Sequence, residues 1–123
     1  MSKPSFVKFE IPADLVTKVY EAITLASKTG RVRKGVNEST KSIERGNAKL
    51  VVMAEDVTPE EILIHLPVLC KEKKIPFAYV PSKIELGKAA GIEVPTSSIS
   101  IDVEGESKKV LADVVSKLED LMK

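Results

Sequence analysis

The chain has 123 residues, 43% of them hydrophobic, a formal net charge of +1 and a single cysteine. This apolar content suits one packed domain and excludes disorder, and Cys70 alone excludes an internal disulfide and fits a reducing compartment. No apolar run approaches the roughly 20 residues of a membrane helix, and Met1-Ser2-Lys3-Pro4-Ser5 leads into no signal-type segment, so a soluble, cytoplasmic protein is expected.

Leu15, Val16, Val19, Tyr20, Ile23 and Ala26 recur at helical spacing and predict a first helix, with Pro12 in its first turn and Lys28 before Gly30 at its end. Arg31 to Lys34 reads as a short strand. A short helix follows, capped by Asn37 and stopped at Arg45-Gly46. Leu50 to Ala54 is a continuous apolar run of strand length, expected to be covered on both faces. Thr58-Pro59-Glu60-Glu61 has the form of a capping box ahead of a helix burying Ile62, Leu66, Leu69 and Cys70, with a kink or break at Pro67. Ile75 to Val80 is the next buried strand, and Ser82-Lys83-Ile84-Glu85 caps a helix ending near Gly91. A turn at Ile92-Glu93-Val94-Pro95 precedes a strand over Ser98 to Val103. The last helix carries Val110, Leu111, Val114, Leu118 and Leu121 on one stripe. Helices alternating with short buried strands give an α/β/α three-layer sandwich around a mixed sheet of about four strands, with residues 1–123 as one domain.

The densest chemistry lies in Arg33-Lys34-Gly35-Val36-Asn37-Glu38-Ser39-Thr40-Lys41. A glycine pivot lets backbone approach a ligand, and the positive end of the short helix, flanked by Lys34 and Arg33, attracts phosphate. Glu38 would repel phosphate and needs another use, such as accepting hydrogen bonds from base N–H groups. From Arg31 to Lys49 six basic residues face only Glu38 and Glu44, a local excess of four charges in a chain of net +1. That is the pattern of a patch that meets a polyanion.

Catalysis is not indicated. His65 is the only histidine and Cys70 the only thiol, five residues apart on one predicted helix with Pro67 between them, a poor base–nucleophile geometry. They read as a partly buried imidazole and a packed thiol. No metal-ligand spacing and no phosphate-cradling glycine signature is present. With aromatics at 4%, a base-stacking platform is not expected either, and Phe6, Phe9, Phe77, Tyr20 and Tyr79 are assigned to the core. An RNA-binding chain of this kind reads preformed shape, with polar groups on base edges and aliphatic side chains under flipped bases. A protein-interaction module that docks a partner through its terminal helix is the alternative.

Several motifs in order carry a resemblance. Lys34-Gly35-Val36-Asn37-Glu38-Ser39-Thr40-Lys41, Glu44-Arg45-Gly46, Ala48-Lys49-Leu50-Val51, Ala54-Glu55-Asp56, Pro59-x-Glu61, His65-Leu66-Pro67-x-Leu69-Cys70, Ile75-Pro76 and Pro81-Ser82-Lys83-x-x-Leu86-Gly87 together resemble the kink-turn-binding ribosomal proteins of the L7Ae type, most closely the archaeal large-subunit member. The resemblance implies the same sandwich and recognition of the kink-turn, a sharp RNA bend built on tandem sheared G·A pairs. It implies Asn37, Glu38 and Lys41 on guanine edges, the Gly35 backbone close to RNA, and Lys34 and Arg45 on phosphates. Ile62, Lys83 and Ile92, Glu93 and Val94 would enclose the extruded nucleotide. The implied hosts are ribosomal RNA, box C/D and H/ACA guide RNAs and ribonuclease P RNA, hence tRNA processing. The implied role is a non-catalytic subunit, monomeric when free, that needs no cofactor and serves a Nop-type scaffold and fibrillarin. Thr58 stands where relatives are often acidic, and Ser97 where some carry an aliphatic.

Overall fold

A computed structural model describes residues 11–57 and 63–121 of the chain. Helix α1 spans Ala13–Thr29, β1 Arg31–Lys34, α2 Val36–Glu44, β2 Leu50–Ala54, α3 His65–Lys73, β3 Phe77–Val80, α4 Lys83–Ala89, β4 Ser98–Val103 and α5 Lys108–Leu121. The strands form one sheet in the order β1-β4-β2-β3. β4 runs antiparallel to both β1 and β2, while β2 and β3 are parallel, a pairing that requires a crossover such as the one containing α3. Helix α1 packs with α4 and α5, and α2 packs with α3 and over β1 and β4. This is the three-layer α/β/α sandwich with a mixed four-stranded sheet.

The first helix buries Leu15, Val19, Ala22, Ile23 and Ala26, close to the predicted stripe, and α5 buries Leu111, Val114 and Leu118. Leu121 stays exposed at the end of that stripe. All five residues of the central strand β2 and all four of the edge strand β3 are buried, as strands covered by helices on both faces must be. Several local details differ from expectation. Pro12 is the N-cap of α1 rather than part of its first turn. The third strand begins at Phe77 and not at Ile75. Helix α3 starts at His65, so Pro67 falls in its first turn, where its missing N–H breaks no internal bond. The proposed capping box at Thr58 and the pocket residue Ile62 lie outside the described residues.

β4 reads Ser98-Ile99-Ser100-Ile101-Asp102, a strict alternation. Ile99 and Ile101 are fully buried, each worth about 1.5–3 kcal/mol of burial. The opposite face meets α2 through polar groups. Ser98 Oγ donates to Ser39 Oγ at 3.2 Å. Ser42 Oγ donates to Asp102 Oδ1, and Ser100 Oγ lies within reach of both, at 3.1 Å and 2.9 Å. Arg33 Nε closes the chain on Asp102 Oδ2 at 3.3 Å. The Asp102 side chain is only 7% exposed, so its charge must be met inside the protein. Removing it leaves the buried Ser42 hydroxyl and one guanidinium donor without their acceptor, and Ser100 with Ser42 alone. Asp102→Ala is expected to lower stability by about 1–3 kcal/mol, seen as a lower urea midpoint at unchanged m-value; an unmoved midpoint would show that this seam adds no net stability.

Candidate functional site

The sheet topology brings the C-terminal ends of β1, β2 and β3 and the start of β4 to one edge, with Lys34 opposite Ile99, Met53 opposite Ser98 and Ala54 opposite Val80. Helices α2 and α4 both begin there. Gly35 is the N-cap of α2, at φ 91° and ψ 163°, a region open essentially to glycine alone. A Cβ there would meet nothing within 4 Å, so the glycine is needed for backbone conformation and leaves its outer side clear. Its N–H donates to Ser98 O at 2.8 Å and its carbonyl accepts from Ser39 N at 3.0 Å. Asn37, predicted to cap this helix, sits one residue inside it. No side chain caps α2, so its first amides are left to solvent or a ligand at the positive end of the helix.

Ser39, Ser42 and Ile43 form the buried face of α2. At 100° per residue, Asn37, Glu38, Lys41 and Arg45 fall in one arc on the opposite side, and all four are exposed. Lys41 Nζ lies 3.9 Å from Glu38 Oε1. An exposed pair of that length is worth well under about 1 kcal/mol, so both groups stay available to a ligand. Lys34 is exposed at the end of β1, next to the glycine. Arg45 is the C-cap of α2, a helix length of about 13 Å from Asn37's end.

The aliphatic turn is held by α4. A Cβ on Gly87 would stand 2.2 Å from Val94 O, and Ile92 N donates to Gly87 O at 3.0 Å. Thr96 N donates to Lys83 O at 3.2 Å, and Lys83 N to Asp56 Oδ1 at 2.8 Å. Ser82 accepts from Glu85 N at 3.2 Å, the predicted cap of α4. Ile92 is half-buried, while Glu93 and Val94 are exposed, Val94 by 62%. With Ile84 and Lys88 they line a cleft of about 560 Å³. Lys83, the turn and the start of α2 therefore share one edge, three residues of chain separating Val94 from Ser98, the partner of Gly35.

His65 is exposed rather than partly buried. Its Nε2 lies 2.9 Å from Thr40 Oγ1, whose hydroxyl donates to Val36 O at 2.7 Å. With that proton committed, His65 must donate through Nε2–H. The imidazole thus braces the first turn of α2 from α3. Cys70 is fully buried, and burial pushes its thiol up to about 12, so it carries no thiolate at neutral pH. Phe77 and Tyr79 pack edge to face within β3, with centroids 5.9 Å apart, and Tyr20 is half-buried against the core. Phe6 and Phe9 lie outside the described residues. Among the described residues no three metal-ligating side chains come together, and no helix is long and apolar enough to cross a membrane.

The residues that reading along the chain missed are Ser39, Ser42, Ser98, Ser100 and Asp102, the seam that seats α2, and Gly87, the seat of the turn. The alternation in β4 was the available signal for the first group. For Gly87 nothing local announces that a distant carbonyl passes within contact.

The family model described as the ribosomal protein L7Ae/L30e/S12e/Gadd45 family matches residues 17–111. The structure is similar to that of the 15.5kD RNA binding protein of Giardia lamblia, with a TM-score of 0.89 and 32% identity over 98% of this chain and 99% of that one. Gly87→Ala forces the turn away from α4 and is expected to destabilise the fold by about 1–3 kcal/mol. Amide exchange through residues 92–94 should accelerate; an unchanged rate there would refute this packing.

Proposed function

The chain belongs to the ribosomal protein L7Ae/L30e/S12e/Gadd45 family, and on that premise we propose that it binds structured RNA at kink-turns and acts as a non-catalytic, cytoplasmic subunit of ribonucleoprotein complexes. One observation supports this reading above the rest. An amide, a carboxylate and an ammonium group (Asn37, Glu38 and Lys41) stand exposed at the uncapped start of α2, beside a stiff aliphatic turn.

Each group has a task in sheared G·A recognition. Glu38 accepts from guanine N–H groups, Lys41 donates to a guanine carbonyl, and Asn37 pairs with a base edge. The free amides of α2 and Lys34 receive phosphate, and the bare side of Gly35 admits the RNA backbone. Lys83, Ile92, Glu93 and Val94, with Ile62, enclose the extruded nucleotide, and Arg45 meets phosphate further along. Aliphatic side chains take the place of the stacking aromatics that this chain lacks. The hosts proposed are ribosomal RNA, box C/D and H/ACA guide RNAs and ribonuclease P RNA. In guide complexes the bent RNA then serves a Nop-type scaffold and fibrillarin, the free protein being monomeric. The alternative of partner docking through the terminal helix loses support, because Leu111, Val114 and Leu118 are buried in the chain's own core.

Two substitutions separate base reading from charge. Glu38→Ala should weaken binding to an RNA with intact G·A pairs by about 1–3 kcal/mol and have little effect once those pairs are replaced by Watson–Crick pairs. Equal loss on both RNAs would remove Glu38 from base recognition. Lys34→Ala should weaken both RNAs alike and reduce the slope of log affinity against log salt by about 1; an unaltered slope in filter-binding titrations would deny it a phosphate.

A further inference from the structure

The basic run from Arg31 to Lys49 does not gather at the start of α2. β1 leads up to Gly35 and α2 leads back down, so Arg31 and the C-cap Arg45 lie at the far end. There a polar cleft of about 330 Å³ is lined by Arg31, Arg33, Gly46, Asn47, Lys49 and Asp102. Resting on the RNA-binding reading above, we propose that this cleft holds phosphates of a duplex stem continuing from the bent RNA, so that the β1 edge and α2 form one backbone track.

Charge and shape support this assignment. Asp102 is withdrawn into the protein, where it engages Arg33 Nε and Ser42. That contact uses one of five guanidinium donors and orients the fork. Arg31 and Lys49 are exposed, and among the described residues neither has an ion-pair partner. Glu104 borders Lys49 in a neighbouring groove, where Lys108 accompanies it. The cleft lies about 13 Å from the start of α2, the length of the helix, with Lys41 exposed between them and Arg45 exposed at the cleft's end of the helix. One free anion could occupy the cleft alone, but only a polyanion uses cations spaced along that whole distance. A chain with 4% aromatics has few rings on which to stack single-stranded bases, and duplex backbone needs none. Charges on an edge strand also discourage sheet-to-sheet pairing; that role would not depend on the length of an RNA.

The test pairs variants with RNAs. Three RNAs share one G·A bend; in the first both stems are cut short, and in the second and third one stem or the other is extended by a helical turn. The double variant Arg31→Gln and Lys49→Gln should bind the short RNA like the wild type. On one extended RNA it should lose about tenfold at low salt and about 1–2 in salt slope, one per phosphate released. Arg31→Lys, which keeps the charge, should retain the slope. Equal loss on short and extended RNAs, or no loss on either, overturns the proposal. Saturable NMR shifts of Arg31 and Lys49 with inorganic phosphate alone, without any stem-length effect, would assign the cleft to a free anion and also overturn it. Glu38→Ala serves as the internal control. If it binds all three RNAs normally, the kink-turn reading itself fails; if it binds all three more weakly while the double variant binds none more weakly, only the stem track fails.

Discussion

A helix lies on this sheet through hydroxyl groups beside the hydrocarbon of Ile43, and the rest of the candidate site depends on that contact. Ser39 meets Ser98, Ser42 meets Asp102, and Ser100 joins them from the strand. Apolar packing is non-directional and tolerates sliding. Hydrogen bonds between buried groups do not, because each lost partner leaves a desolvated donor or acceptor. The seam therefore sets both the rotation of α2 and its position along β4. With Ser39, Ser42 and Ile43 turned inward, Asn37, Glu38, Lys41 and Arg45 have only the outer arc to occupy.

Two glycines complete the edge for different reasons. Gly35 supplies a backbone conformation that leads β1 directly into α2 and opens its outer side. Gly87 supplies absence of volume, letting the carbonyl of Val94 lie against α4. The turn is further tied through Thr96 to Lys83, and through Lys83 to Asp56. His65 reaches from α3 to Thr40, so the opening turn of α2 is braced from a second helix. A site built this way orders few groups on binding, and preorganisation spares a ligand that part of the entropy loss.

Asp102 links the two ends of the electrostatic surface. It is an acid beside a basic segment, yet its side chain is nearly buried and its charge is spent on Arg33 and the serines. The cations around it keep their outward field, while the helix they surround is anchored. A net charge of +1 thus coexists with a strongly basic strip, because neutralising acids lie elsewhere in the chain, as at Glu55, Asp56, Glu60 and Glu61.

Order and type of the elements were legible because burial imposes periods: 3.6 along α1 and α5, continuous apolar runs in β2 and β3, and alternation in β4. Side-chain chemistry by itself also marked Ser82 as a cap and Gly35 as a pivot. Boundaries decided by long-range contact were not legible. Asn37 has the chemistry of a cap, but the bonds from Gly35 to Ser98 and Ser39 start the helix before it. His65 appeared half-covered until α2 and α3 were placed and its partner proved to be a surface threonine. Only the tertiary structure decided that Lys83, the 92–95 turn and the start of α2 share an edge, and that the basic run divides between two ends of one strand. A linear pattern records which faces are apolar; strand order and crossover direction determine which distant polar groups meet.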